Sequence, residues 1–492
     1  MSRMQETTTG ALPASNAEPP DSGPIAALRV QFDGQRAAFD ARPMPSADER
    51  IAWLDALASM LRRHEQGFVD AVSADFGYRA PMETRLLELM PILEEIAYLR
   101  RRLRRWMRPH RVAVNWMFLP GRAELRPQPL GVVGVIGAWN YPLLLVLSPL
   151  SNALAAGNRV MLKPSERAPA TAELLQRLLA EAFPDGEAVV ATGDEQLSAG
   201  FAALPFDHLV FTGSTRVGRA VMRTAADNLT PVTLELGGKS PAWIHPDFDL
   251  ADAADRICSA KFWNSGQTCV APDYVLVDEA RMDAFAHEAR RAVERRWPRA
   301  ARNPDYSHML DAASCDRMQS LVQDAAANGA HVIALGDAGP GNTYPPTLVL
   351  GATRGMRAMR EEIFGPLLPV IGYRTQEEAL AFVRAGERPL AFYYFDHNRD
   401  RIDHVLDHTH AGGVTLNDAI FHMVQHRLPF GGIGASGMGG YHGDAGFRAL
   451  SHFKPVLRQN RLAARILAFM TKPPYGRRQV RLLRWLAGLR GE

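Results

Sequence analysis

The sequence predicts an α/β protein built from two parallel-sheet units. Three observations carry that reading. From residue 131 onward, short runs rich in Val and Ile alternate with stretches of helical period, as in strands laid parallel and joined by helices. The alternation restarts after Glu235, which marks a second unit. Finally, no charge occurs between Arg126 and Arg159, yet Gly131, Gly134, Gly137, Pro142 and Pro149 interrupt the stretch. That is a buried strand running into a buried helix, not a membrane span.

The bulk properties fit a soluble globular protein. The chain has 492 residues, 47% of them hydrophobic and 22% charged, enough for a large core in several domains. A net charge of +3 gives no reason to expect a nucleic-acid partner. Cys258, Cys269 and Cys315 lack the spacing of a disulfide framework and point to a reducing, cytoplasmic setting. Residues 1–24, rich in Thr, Ala, Pro and Ser without an apolar core, are expected to be a mobile leader and not a secretory signal.

In order, 50–75 has helical period, with Ile51, Leu54, Leu57, Ala58 and Leu61 on one face. Residues 83–107 continue it with Leu86, Leu87, Met90, Leu93, Ile96 and Leu103, ending in an arginine-dense segment read as a solvated face. Residues 111–128 read as strand. The first unit then offers strands at 132–136, 160–162, 188–191, 208–211 and 232–235, with helices at 141–156, 168–182, 195–203 and 216–226. The second offers helices at 249–264, 278–297 and 312–328, with strands at 274–277, 331–335, 347–350, 368–372 and 391–395. No low-complexity linker separates the units, so they should pack closely, with the chain crossing more than once. Residues 461–489 form a basic, amphipathic tail. Packing on its own body or a dimer mate is expected before contact with a membrane surface.

The chemistry concentrates in a few short stretches. Gly266-Gln267-Thr268-Cys269 sets a thiol in a glycine-containing loop, where it can meet a substrate. Upstream, Glu235 ends an apolar run and is followed by Gly237 and Gly238, which admit close backbone approach. Trp139-Asn140-Tyr141-Pro142 offers an uncharged amide suited to an oxyanion, or merely a turn amide. Gly213-Ser214, with Gly218, sits at a strand-to-helix turn able to hold a phosphate, or is simply a capped turn. Lys163 and Glu166 lie just past a strand end, placed to reach a ribose or to open a helix at Ser165. His404/His408 and His422/His426 repeat at a four-residue step. Neither pair has the glutamate of a zinc-protease helix, so no metal is expected.

As a set and in this order, Leu234-Glu235-Leu236-Gly237-Gly238-Lys239, Gly266-Gln267-Thr268-Cys269 and Glu362-Ile363-Phe364-Gly365-Pro366 resemble the NAD(P)-dependent aldehyde dehydrogenases. The resemblance runs from about residue 26 to 474. Trp139 to Pro142, Ser436-Gly437-Met438-Gly439-Gly440-Tyr441-His442-Gly443 and Lys472-Pro473-Pro474 resemble the class 3 branch, and within it the bacterial coniferyl aldehyde dehydrogenases.

The resemblance implies Cys269 as nucleophile, Glu235 as general base and Asn140 as oxyanion-hole amide. It implies cofactor contacts at Trp139, Lys163, Glu166, Gly213, Ser214, Gly218, Glu362 and Phe364, and a substrate-channel wall at Tyr141. Asn417 would brace loops. A carboxylate at Glu166 disfavours a 2′-phosphate and so favours NAD, while Lys163 leaves NADP open. The implied architecture is an aldehyde dehydrogenase-like α/β fold. Residues 25–112 and 131–236 would form the NAD-binding domain and 237–413 the catalytic domain. Residues 113–130 and 414–458 would form a β-hairpin oligomerisation element of a homodimer. The expected activity is NAD-dependent oxidation of an apolar aromatic or aliphatic aldehyde. A non-catalytic protein on the same fold and an NAD-independent thiol esterase are the alternatives.

Overall fold

The computed structural model describes residues 23–489. The proposed leader falls on residues outside that range except for its last two, and a helix begins at Pro24 (Pro24–Ala41). A six-stranded sheet runs in the order Gly437–Met438, Val232–Glu235, His208–Thr212, Val132–Ile136, Arg159–Lys163, Ala188–Val190. Only the two-residue strand at its edge is antiparallel. Because the rest are parallel, the segments after Ile136, Lys163, Thr212 and Glu235 emerge on one side. Strand order reverses at Val132–Ile136, and ligands of open α/β sheets settle at such a switch point.

The second sheet has seven strands in the order His331–Ala334, Thr347–Leu350, Leu367–Tyr373, Tyr274–Asp278, Pro241–Ile244, Ala391–Phe395, Gly413–Leu416, with only the first antiparallel. The central strands of both sheets are buried, as their unbroken apolar runs require, while the edge strands His331–Ala334 and Gly413–Leu416 are partly exposed. Pro241–Ile244 was not expected from the sequence, because it is only four residues long and opens on a proline, which cannot donate to a strand ladder.

A third, three-stranded sheet joins His110–Val112, Arg122–Pro129 and Ser451–Arg458. Of the 414–458 stretch assigned to the oligomerisation element, only Ser451–Arg458 enters this sheet. Gly413–Leu416 completes the seven-stranded sheet, and Gly437–Met438 pairs beside Glu235.

The uncharged stretch becomes the strand Val132–Ile136 and the fully buried helix Leu144–Ala156. Arg50, itself buried, closes the far end of that helix by donating to the carbonyls of Ala156 at 2.6 Å and Ala155 at 3.3 Å. A cation favours the negative end of the helix dipole there.

Two helical expectations change. The helix at 50–75 is two, Ala47–Arg63 and Glu65–Asp75, meeting at His64. The 83–107 helix contains a π turn at Arg85–Leu89, which rotates its register. Leu86 and Met90 therefore face solvent, while Glu88, Leu89, Ile92, Glu95, Ile96, Leu99 and Leu103 form the buried stripe. The arginine-dense end is solvated as expected, with Arg100 paired to Asp55 and Arg104 to Asp48.

The tail forms two helices, Arg461–Thr471 and Arg477–Leu486, with Leu462, Phe469 and Trp485 exposed. Among the described residues no helix is long and apolar enough to cross a membrane.

Candidate active site

The sheet ends deliver the expected residues from two directions. Asn140 follows Ile136, Lys163 ends its strand, Gly213 and Ser214 follow Thr212, and Glu235 ends its strand. From the other unit come Cys269, in the loop after the helix Leu250–Phe262, and Glu362 with Phe364.

The Cys269 loop is held tightly. Asn264 and Ser265 sit in the left-handed region with φ of 52° and 51°, a conformation non-glycine residues need support to keep. The support is on hand: the Asn264 N–H donates to Glu83 at 3.0 Å, and the Ser265 hydroxyl to the Ser307 carbonyl. The buried Gln267 side chain donates to the carbonyls of Asn264 at 2.9 Å and His308 at 3.1 Å, and accepts from the Leu310 N–H at 2.9 Å. Asn140 is 2% exposed and donates through Nδ2 to the Gln267 carbonyl at 3.1 Å, two residues before the thiol. Its own carbonyl accepts from Asn264 at 3.0 Å and from Arg79 at 3.1 Å. Tyr141 is buried, and its hydroxyl shares a 2.6 Å hydrogen bond with Thr268, next to the thiol.

Glu235 is different. It is 3% exposed, and both carboxylate oxygens are buried without a hydrogen-bond partner. Burial holds its pKa well above the usual carboxylate range. An orphaned buried carboxylate is costly, and such groups cluster where chemistry is done. The half-buried Cys269 thiol is pushed up to about 12, by burial first and then by the nearby carboxylates of Glu362 and Glu235. Cys258 is fully buried, and burial raises its thiol further.

Glu362 reaches over the Gly237–Gly238 backbone, and a Cβ on Gly237 would collide with its carboxylate. That explains the glycine. Burial, then Asp273, pushes Glu362 up to about 8. Lys239 secures this segment by donating to the Asp273 carboxylate and to the carbonyls of Ala358 at 2.7 Å and Glu361 at 3.1 Å. Asp273 in turn accepts from the Ile363 N–H at 3.0 Å. A cleft of about 240 Å³ opens here, lined by Thr215, Gly237, Lys239, Glu362, Arg388 and Ala435.

The remaining residues arrange as follows. Trp139 and Phe364 meet edge to face at 5.5 Å, and Arg167 lies over Trp139 at 4.8 Å. Phe364 has a φ of 47°. The buried Lys163 pairs with Glu166 at 3.4 Å, and Ala168, not Ser165, precedes the next helix. Ser214 caps the helix Thr215–Ala226 by accepting from the Val217 N–H at 3.4 Å. Gly218, in the first turn of that helix, packs against Leu236 and Phe211. Asn417 accepts from the Asp396 N–H at 2.9 Å, tying two loops together.

These residues fit a dinucleotide. The free amides at the start of Thr215–Ala226 suit a pyrophosphate, Lys163 with Glu166 suits a ribose, and Glu362 beside the Gly237–Gly238 cradle suits a second ribose.

Chain pattern alone missed Arg79, Glu83 and Glu88, all buried beneath Asn140 and the Cys269 loop. Glu83 and Glu88 passed for polar positions of the 83–107 helix, and Arg79 lay between the two helical stretches. The four-residue histidine pairs separate. His404 and His408 are exposed side by side, whereas His422 is buried against Thr415 at 2.9 Å. His426 approaches His442 and Glu95, whose carboxylate accepts from Ser148 at 2.5 Å and Asn152 at 2.8 Å.

Residues 29–456 match the Aldehyde dehydrogenase family. This chain is an aldehyde dehydrogenase family member. It is 48% identical over 450 residues to the probable coniferyl aldehyde dehydrogenase of Pseudomonas aeruginosa, covering 92% of this chain and 94% of that one. It is 44% identical to the coniferyl aldehyde dehydrogenase of Pseudomonas sp. strain HR199, covering 87% and 89%. The fold superposes on the Mycobacterium tuberculosis aldehyde dehydrogenase complexed with NAD+ with a TM-score of 0.80 at 28% identity, covering 89% of this chain and 90% of that one. Membership makes it an NAD(P)-dependent oxidoreductase that acts on aldehydes.

Proposed function

We propose that this aldehyde dehydrogenase oxidises apolar aldehydes to carboxylic acids with NAD. Cinnamaldehyde-type compounds such as coniferyl aldehyde come first, and medium- or long-chain aliphatic aldehydes second. The observation that carries the mechanism is the half-buried Cys269 thiol between a fixed amide, Asn140, and a buried carboxylate without partners, Glu235. The substrate class rests on two relatives described as coniferyl aldehyde dehydrogenases.

In this reading the Cys269 sulfur attacks the carbonyl carbon as thiolate, giving a thiohemiacetal. The Asn140 amide and the Cys269 N–H hold the oxyanion, and fixed donors need no rearrangement as charge develops. NAD supplies the hydride acceptor when bound. Trp139, Gly213, Ser214 and Gly218 would receive its pyrophosphate end, Lys163 and Glu166 the adenosine ribose, and Glu362 with Phe364 the nicotinamide end. Glu235 takes a proton from the water that hydrolyses the Cys269 thioester. Its raised pKa makes it a stronger base once ionised, so turnover increases with pH. Glu166, next to the ribose position, favours NAD over NADP. Tyr141 lines the channel beside Thr268.

We assign the chain to the cytoplasm on its three free thiols. A homodimer would use the three-stranded sheet, where Val112, Trp116, Leu119 and Leu457 are exposed.

The test is NADH absorbance on adding hexanal, a long-chain aldehyde, benzaldehyde and coniferyl aldehyde. The expected result is a signal strongest by kcat/KM with the cinnamaldehyde type and absent in Cys269→Ala. No signal with any of them would favour a non-catalytic role, and ester hydrolysis without NAD would favour a thiol esterase.

A further inference from the structure

Arg79 is 0% exposed, as is Glu88, its 3.0 Å ion-pair partner. A buried pair of this kind is not needed for stability, since well-packed apolar residues often do as well. Its contacts suggest another use. The same Nη1 that meets Glu88 donates to the Asn140 carbonyl at 3.1 Å. The guanidinium lies over the Tyr141 ring at 4.7 Å and the Phe76 ring at 5.2 Å. Glu88, on its other oxygen, accepts from the N–H groups of Leu143 at 2.8 Å and Leu144 at 3.0 Å. The pair therefore grips four of the five residues from Asn140 to Leu144. Separate bonds tie Asn140 to Gln267 at 3.1 Å and Tyr141 to Thr268 at 2.6 Å.

We propose that Arg79, braced by Glu88, is the positioning residue that sets where the Asn140 amide stands relative to Cys269. The inference rests on the reading of Asn140 as an oxyanion donor. An amide serves a developing oxyanion only within a few tenths of an ångström of its place, and each such donor is worth about 10²–10³-fold in rate. Asn140 sits on an irregular stretch between Ile136 and Leu144, where no strand or helix ladder fixes it. The guanidinium bonds the Asn140 carbonyl and Glu88 through Nη1 while its carbon lies over the Tyr141 and Phe76 rings. A lysine ammonium can supply point contacts like those of Nη1 but lacks the delocalised plane that covers the two rings.

The test is a coupling cycle in the full-length enzyme. Removing Arg79 alone would strand the buried Glu88 charge, so the variant is the neutral pair Arg79→Met/Glu88→Gln, made in wild type and in Asn140→Ala. Arg79→Lys, which keeps the charge beside Glu88, is the companion. Thermal unfolding establishes that each is folded. The expected result is a kcat lowered about tenfold to a hundredfold, with aldehyde KM within about twofold, in both Arg79→Met/Glu88→Gln and Arg79→Lys. In the Asn140→Ala background the pair should lower kcat no further, because the residue it positions is gone.

Unchanged kcat in folded variants would overturn the proposal. So would an equal further loss in Asn140→Ala, since Arg79 would then act elsewhere. Absence of aldehyde-dependent NADH formation in the wild type would instead sink the proposed function, so the two failures are distinct.

Discussion

The two walls around Cys269 are built on opposite principles. On the Asn140 side most polar groups are engaged: Asn140, Asn264 and Tyr141 bond residues 267 and 268 next to the thiol, and Glu83 and Glu88 bond the backbone of Asn264 and of Leu143 and Leu144 behind them. On the Glu235 side the carboxylate is buried and has no hydrogen-bond partner among the described residues. A donor that must stabilise charge is best held still, and a dense set of hydrogen bonds does that. A base that must exchange a proton with water is best left without partners, because a hydrogen bond to its charged form would lower its pKa and weaken it. On the function proposed above, the contrast gives geometry to one wall and proton transfer to the other.

Breaking the thing both walls serve should have the largest effect. Cys269→Ala is expected to lower aldehyde oxidation by at least about 10⁴-fold, measured as NADH formation, with an unfolding temperature near wild type. Next is the proton-transfer wall. Glu235→Gln keeps the shape and should lower steady-state kcat about 10²–10⁴-fold, the range for a lost general base. The geometry wall follows, with Asn140→Ala expected to cost about 10²–10³-fold in kcat. If the Glu235 and Asn140 variants lost activity by the same step in single-turnover traces, the division of labour would be wrong.

Two pH measurements sharpen the comparison. With its thiol pushed up to about 12, Cys269 is overwhelmingly protonated near neutrality, and its thiolate fraction grows with pH. Iodoacetamide alkylation of Cys269 in the cofactor-free enzyme should therefore rise about tenfold per unit between roughly pH 6 and pH 9. A plateau near pH 7 would show a thiol activated before substrate arrives. The smallest effect concerns Glu362, raised from the usual 4.5 to about 8 by burial. A folded pKa above the unfolded one stabilises fully below the unfolded value, and that contribution is lost as pH climbs through the folded value. Glu362→Gln should accordingly flatten the fall in Tm between about pH 5 and pH 8, a change of roughly a few kcal/mol in stability at about 1.4 kcal/mol per unit.

The strand runs of both units were legible in the sequence because all-apolar segments such as Val132–Ile136 and Ala391–Phe395 suit a covered parallel sheet. Cys269, Glu235 and Asn140 were legible as candidates because each sits beside glycine or a strand end. Their surroundings were not. The π turn at Arg85–Leu89 rotates the start of the buried stripe, so Glu88 and Leu89 are buried where the period put Leu86 and Met90, and Glu95 joins the buried face beside Ile96. Arg79 and Glu83 bond backbone atoms of Asn140 and Asn264, more than fifty residues away, and a local pattern carries no trace of such partners. The two-residue strand Gly437–Met438, inside a glycine-rich run, exists only because Glu235 offers it an edge.

The measurement that bears most directly on the two-wall account is the mass of Glu235→Gln quenched in acid after mixing with NAD and benzaldehyde. With attack intact and hydrolysis disabled, the protein should carry one benzoyl group, located on Cys269 by peptide mapping. An unmodified protein, or an acyl group on any other residue, would contradict the account.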